Sequence, residues 1–141
     1  MSQLHGISKY IVQNTRNRIV FTDFIIDELE FVNVGISVAQ ALTQCRESNP
    51  SDIVADVLSK TIANPTIGNY LALDNIGILF EPELKLDVRS LLDSYSKNQT
   101  LIIRTDAMIV DNTFHFLCPN DNVSIDLSGL SFKIIKHHDN I

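Results

Sequence analysis

Apolar positions along this chain switch between a helical and a strand-like period, and the switches divide it into alternating elements. Leu4, Ile7, Tyr10 and Ile11 recur at helical spacing, which predicts an amphipathic helix over residues 3–15, closed by Arg16-Asn17. Ile19-Val20-Phe21 is a β-branched and aromatic run of strand character. The stretch from Thr22 to Glu30 mixes both characters and fixes neither, and Phe31-Val32 reads as a second strand. Ile36, Ala39 and Leu42 return to helical spacing, opened by Asn33 or Gly35 and ended before Asn49-Pro50, where proline cannot continue the helix. Ser51 then precedes Ile53, Val54, Val57, Leu58 and Ile62, which fall on one stripe of a further helix stopped by Asn64-Pro65.

Tyr70-Leu71-Ala72-Leu73 is a short apolar run that ends abruptly in Asp74-Asn75, the pattern of a buried strand. After Ile78, Leu79 and Phe80, Pro82 breaks the chain. Val88, Leu91, Leu92 and Tyr95 mark a helix, with Lys97-Asn98 at its end. Leu101-Ile102-Ile103 is another buried run, bounded by Thr100 and by Arg104-Thr105-Asp106. Alternating strands and helices predict an α/β fold of three layers around a mainly parallel sheet. Beyond Asp111-Asn112, Phe114 to Leu117, Val123 to Leu127 and Phe132 to Ile135 are separated by Pro119-Asn120-Asp121-Asn122 and Ser128-Gly129, as in antiparallel hairpins. One domain over residues 1–141 is expected, with a core to residue 110, a β-extension over 111–136 and a flexible tail at 137–141.

With 141 residues and 45% apolar content, one core can bury about 70% of the surface of the unfolded chain. The net charge of −6 argues against direct nucleic-acid binding, which needs clustered Lys and Arg, and Arg16-Asn17-Arg18 is the longest basic group. Other protein subunits are the expected partners, with a homo-oligomer open. No apolar run approaches the ~20 residues of a membrane span, and His5, Lys9 and Asn14 interrupt any leader, so a cytoplasmic protein is expected. In that compartment the sequons at Asn98 and Asn122 are coincidences, and Cys45 and Cys118 are reduced thiols.

Candidate chemistry centres on Leu71-Ala72-Leu73-Asp74, because P-loop NTPases place a magnesium-binding carboxylate at the end of such a strand. The other half of that apparatus is missing: Gly6, Gly35, Gly68, Gly77 and Gly129 are scattered, and no Gly-Lys-Ser or Gly-Lys-Thr occurs. The neighbour of Asp74 is Asn75, which cannot act as a base. As a structural residue Asp74 simply turns the chain by bonding nearby backbone. Asp23, Asp27, Glu28 and Glu30 read as solvated charge before a metal site, although Asp23 and Asp27 share a face if that segment is helical. His115 alternates with Phe114 and Phe116 and faces the side opposite those rings. His137-His138 has no second pair at metal-ligand spacing, and neither a G-x-S-x-G serine nor an activated cysteine is present. No catalytic residue, metal site or cofactor is expected on these grounds.

The phrase Leu73-Asp74-Asn75-Ile76-Gly77-Ile78-Leu79-Phe80-Glu81-Pro82-Glu83-Leu84-Lys85-Leu86-Asp87 resembles the central signature of BrxF, a small P-loop protein of type three BREX bacteriophage-exclusion systems. The likeness continues through Leu91-Leu92 and Ser96 to Leu101, and Val32-Asn33-Val34-Gly35 is similar to the segment after that family's ATP-binding helix. It runs from about Phe31 to Ile103. The resemblance implies that Asp74 occupies the Walker B position, with Asn75 beside it and Thr105 at a place for a sensing polar group, all vestigial. It also implies a degenerate member that has lost its phosphate loop and serves as a non-catalytic interaction or regulatory subunit of an anti-phage complex. Two other readings stay open: a nucleotide-binding protein that holds magnesium through Asp74, and an acidic inhibitor or immunity protein that masks a nuclease or toxin.

Overall fold

The computed structural model describes residues 4–13, 18–44, 49–81, 84–117 and 122–136. The expectations for Arg16, Asn17, Cys45, Pro82, Cys118, Pro119 and the tail lie outside them. The chain runs α1 (Leu4–Gln13), β1 (Ile19–Thr22), β2 (Phe31–Asn33), α2 (Val34–Gln44), α3 (Pro50–Val57), β3 (Ile62–Asn64), β4 (Gly68–Asp74), a 3-10 helix (Ile76–Phe80), α4 (Val88–Tyr95), β5 (Thr100–Arg104), β6 (Met108–Val110), β7 (Thr113–Leu117), β8 (Asn122–Asp126) and β9 (Phe132–Ile135).

Strands in the order β2-β4-β5-β1-β9 form a parallel sheet, with β3 antiparallel to the first half of β4. Strand periodicity then sorts the side chains into two cores. Ile19, Phe21, Leu71, Leu73, Leu101 and Ile103 face Val34 and Val38 of α2, Val54 and Val57 of α3, and Leu92 of α4. Val20, Tyr70, Ala72 and Ile102 face Leu4, Ile7 and Tyr10 of α1 on the opposite side. The result is the expected three-layer α/β arrangement. Full burial of each such aliphatic side chain contributes roughly 1.5–3 kcal/mol, so the strand cores dominate the stability.

Strands β6, β7 and β8 form a separate antiparallel sheet. Phe114 ties it to the main sheet, with its ring 5.5 Å from that of Phe21. Phe80 stacks on Phe116 at 4.8 Å and meets Phe114 at 6.0 Å, which joins the 3-10 helix to the same cluster.

Some local expectations change. Ile62 is not on the α3 stripe: that helix ends at Val57, and β-branched Ile62 pairs with Tyr70 in a β3–β4 hairpin. Asn64 makes the hairpin turn, with Oδ1 accepting from Thr66 N–H at 2.8 Å and Ile67 N–H at 3.2 Å. Asn49 caps α3 by accepting from Ser51 N–H at 2.9 Å, and Pro50 takes the first helical position, where its missing N–H costs nothing.

The largest change concerns the C-terminal strands. β9 is not part of an antiparallel hairpin but lies parallel to β1, in register Ile19 to Phe132. Ile135 there joins the α1 core, while the Phe132 ring meets Phe21 edge-on at 6.0 Å. The small sheet also starts at Met108, so Asp111-Asn112 is its first turn and not its border.

Candidate functional site

Open parallel sheets bind ligands outside the carboxyl ends of their strands, so the ends of β1, β4 and β5 are the place to look. Asp74 closes β4. The register pairs Leu73 with Ile103, and the next residue on each strand brings Asp74 beside Arg104. Asp74 Oδ1 lies 3.8 Å from Arg104 Nη1 and accepts the Asn75 N–H at 2.9 Å. The guanidinium also reaches Asp106 at 3.6 Å. With both partners about one-third exposed, the Arg104–Asp74 pair contributes only ~0–1 kcal/mol. Its importance lies in charge: a fixed cation stands where a metal ion bound to Asp74 would need acceptors.

Asn75 follows in the left-handed region, at φ 56 and ψ 56. A short polar side chain tolerates that conformation better than most residues do. Its Nδ2 donates to Asn33 Oδ1 at 2.9 Å, and its carbonyl accepts the Gly35 N–H at 3.0 Å. Asn33 Oδ1 in turn caps α2 by accepting from Ile36 N–H at 3.1 Å. The Gly35 and Ile36 amides in the first turn of α2, which begins at this end of the sheet, are therefore satisfied internally. Gly35 is required here because a Cβ would overlap the Asn75 amide.

Thr105 is 7% exposed and tied into the fold. Its N–H donates to the Thr22 carbonyl at 2.8 Å, and its hydroxyl accepts from Ala107 N–H at 3.1 Å. Asn75, Gly77, Arg104, Thr105 and Asp106 line a cleft of about 150 Å³, closed on one side by Phe116. Of the residues singled out from the sequence, Asn75 and Thr105 thus share one cleft, while Asp74 pairs with Arg104 at its edge.

At the end of β1, the segment from Asp23 to Glu30 is neither strand nor helix. Ile26 is 0% exposed and packs with Leu29 and Phe24 into the α1 core. Leu29 N–H donates to Ile26 O at 3.0 Å, and Glu30 N–H to the Tyr70 hydroxyl at 2.9 Å. Asp23 and Asp27 consequently share no helical face. Among the described residues, no group of three or more His, Cys, Asp or Glu side chains could hold a metal ion. His115 is exposed opposite the buried Phe114 ring, with Nδ1 3.2 Å from Ser124 Oγ.

A larger cleft of about 520 Å³ opens between α4 and β8, lined among others by Phe80, Lys85, Asp87, Arg89 and Asp126. Arg89 is committed to carbonyls, donating from Nε to Asp126 O at 2.9 Å and from Nη2 to Ser128 O at 2.6 Å. The Ser90 N–H holds the Asp87 carboxyl below its ordinary range, and bonds from Ser128 do the same for Asp126. These acids cap a helix and a turn.

Sequence reasoning missed Arg104 and the Asn33–Asn75 bond. A signal for the first was present: Leu71-Ala72-Leu73-Asp74 and Leu101-Ile102-Ile103-Arg104 are runs of equal length on neighbouring parallel strands, one ending in an acid and the other in a base.

No protein-family model matches the chain, and searches of curated proteins and of solved structures find no similar protein. Among the described residues, no helix is long and apolar enough to cross a membrane.

Proposed function

We propose that this chain is a non-catalytic interaction or regulatory subunit of a cytoplasmic prokaryotic anti-phage complex, a BrxF-like P-loop relative without its phosphate loop. The observation that carries the reading is saturation of the strand ends. Asp74 faces Arg104, the first α2 amides serve Asn33 and Asn75, and the passage after β1 contains neither glycine nor helix. A polyphosphate needs several free backbone N–H groups gathered around it. Here the Gly35, Ile36, Leu29 and Glu30 amides bond within the chain. The phrase from Leu73 to Asp87 and the charge of −6 support a role in contact with other proteins.

The test is genetic and biochemical. Deleting the gene from a host with a working exclusion system should raise phage plating efficiency, and Asp74→Ala on a plasmid should restore restriction as fully as the natural sequence. The tagged chain should co-purify with the products of adjacent defence genes. A lone monomer whose deletion leaves plating unchanged contradicts the proposal.

A further inference from the structure

The three-residue strand β6 lies at the edge of the small sheet and, among the described residues, pairs with β7 alone. Protein edges are ordinarily protected by short length, lysine, proline or a bulge; β6 is short, but Met108-Ile109-Val110 carries no lysine, proline or bulge. Met108 is 64% exposed and Val110 48%. The turn Asp111-Asn112, with φ of 52 and 63, closes the hairpin directly after Val110. From that turn, the alternation of an antiparallel ladder directs the Ile109 N–H and C=O away from β7. On the inner side, Ile109 lines a small cleft together with exposed Ile134 of β9, and Asp23 and Lys136 line the same cleft, so the surface between β6 and the edge of the main sheet mixes apolar groups with both charges.

We propose that β6 is the docking edge for an extended segment of a basic partner protein, which adds as a strand with alternating apolar side chains and Lys or Arg at its ends. This rests on the interaction reading above and names its surface. Charge selects the occupant. Asp106 precedes the strand and is 80% exposed even while it meets Arg104, and Asp111 follows it, also exposed. Two copies of this chain paired through β6 about a twofold axis at Ile109 would bring Asp106 of one to the end held by Asp111 of the other. Each copy carries −6, so self-pairing is opposed at both ends. A strand flanked by cations meets an opposite charge at each end, and its backbone offers bonds to the outward N–H and C=O of Ile109.

The test uses the whole chain and a synthetic peptide, Lys-Val-Thr-Val-Thr-Val-Lys, with a control in which Glu replaces each Lys. The Lys peptide should slow hydrogen exchange at the Ile109 amide, more at low than at high salt, and the Glu peptide should not. N-methylation of the peptide edge that faces β6 should abolish the effect. Met108→Lys with Val110→Lys, both at exposed positions and checked for unchanged melting, should weaken binding at least about tenfold. Equal binding of both peptides, or binding indifferent to the double variant, overturns the proposal. So does a dimer in sedimentation that the double variant disperses, since the occupant is then a second copy. If the peptide fails while deletion of the gene still lifts restriction, the edge assignment falls and the interaction reading stands.

Discussion

The ends of β1 and β4 lie in one sheet but are held by different kinds of residue. At the end of β4, a buried apolar run delivers an acid and a polar turn to the carboxyl edge of the sheet. At the end of β1, the corresponding passage has no glycine and no helix, and Ile26 and Leu29 drop into the α1 core instead. One end is polar and partly exposed, whereas the other is anchored in the hydrophobic core. The difference teaches that apolar burial fixes the β1 end, while side-chain hydrogen bonds and a weak ion pair fix the β4 end.

If that contrast is right, substitutions at the two ends should differ sharply in cost. Ile26→Ala removes a fully buried side chain, and its stability loss in urea titration should be about 2–5 kcal/mol. A loss near zero would mean that the β1 end is an open loop. Gly35→Ala comes next, because the new Cβ must push the Asn75 amide off Asn33; overpacking of this kind costs ~1–3 kcal/mol. Asn75→Gly relieves the overlap and suits the positive φ, so the double variant should recover part of the loss, with a coupling of ~0.5–3 kcal/mol in a double-mutant cycle.

Asp74→Ala and Arg104→Ala should each change stability by about 1 kcal/mol or less, as expected for a partly exposed ion pair. Differential scanning calorimetry of both variants checks this, and a loss comparable to Ile26→Ala would make the β4 end a structural keystone. The smallest effect calibrates these. Asp87 accepts the Ser90 N–H at 3.1 Å, which keeps its carboxyl below the usual aspartate range in the folded chain. Its contribution is therefore complete above the unfolded value of about 3.9 and is lost as pH falls through the lower folded value. Melting curves from neutral to acid pH should show a shallower acid decline for Asp87→Asn than for the natural sequence.

Strand interiors were legible because burial on both faces writes a continuous apolar run: Ile19 to Phe21, Tyr70 to Leu73 and Leu101 to Ile103 all became parallel neighbours. The helix around Val88 was legible for the same reason, through its single apolar stripe. Ile62 was misassigned because a stripe continues by arithmetic even where the chain turns, and only pairing with Tyr70 decides against it. β9 was placed in the wrong sheet because pairing partners are non-local: nothing in Phe132 to Ile135 states that β1 has an open edge. At the site, Asp74, Asn75 and Thr105 could be named one by one. The bond from Asn75 to Asn33 spans 42 residues and the Arg104 pairing depends on strand order, so neither is written locally.

If the chain acts by contact, as proposed, the strand ends have no place for a polyphosphate. Titration calorimetry of the whole chain with ATP and magnesium tests it most directly. No heat of binding at millimolar nucleotide is the predicted result; micromolar binding that Asp74→Ala abolishes would contradict it.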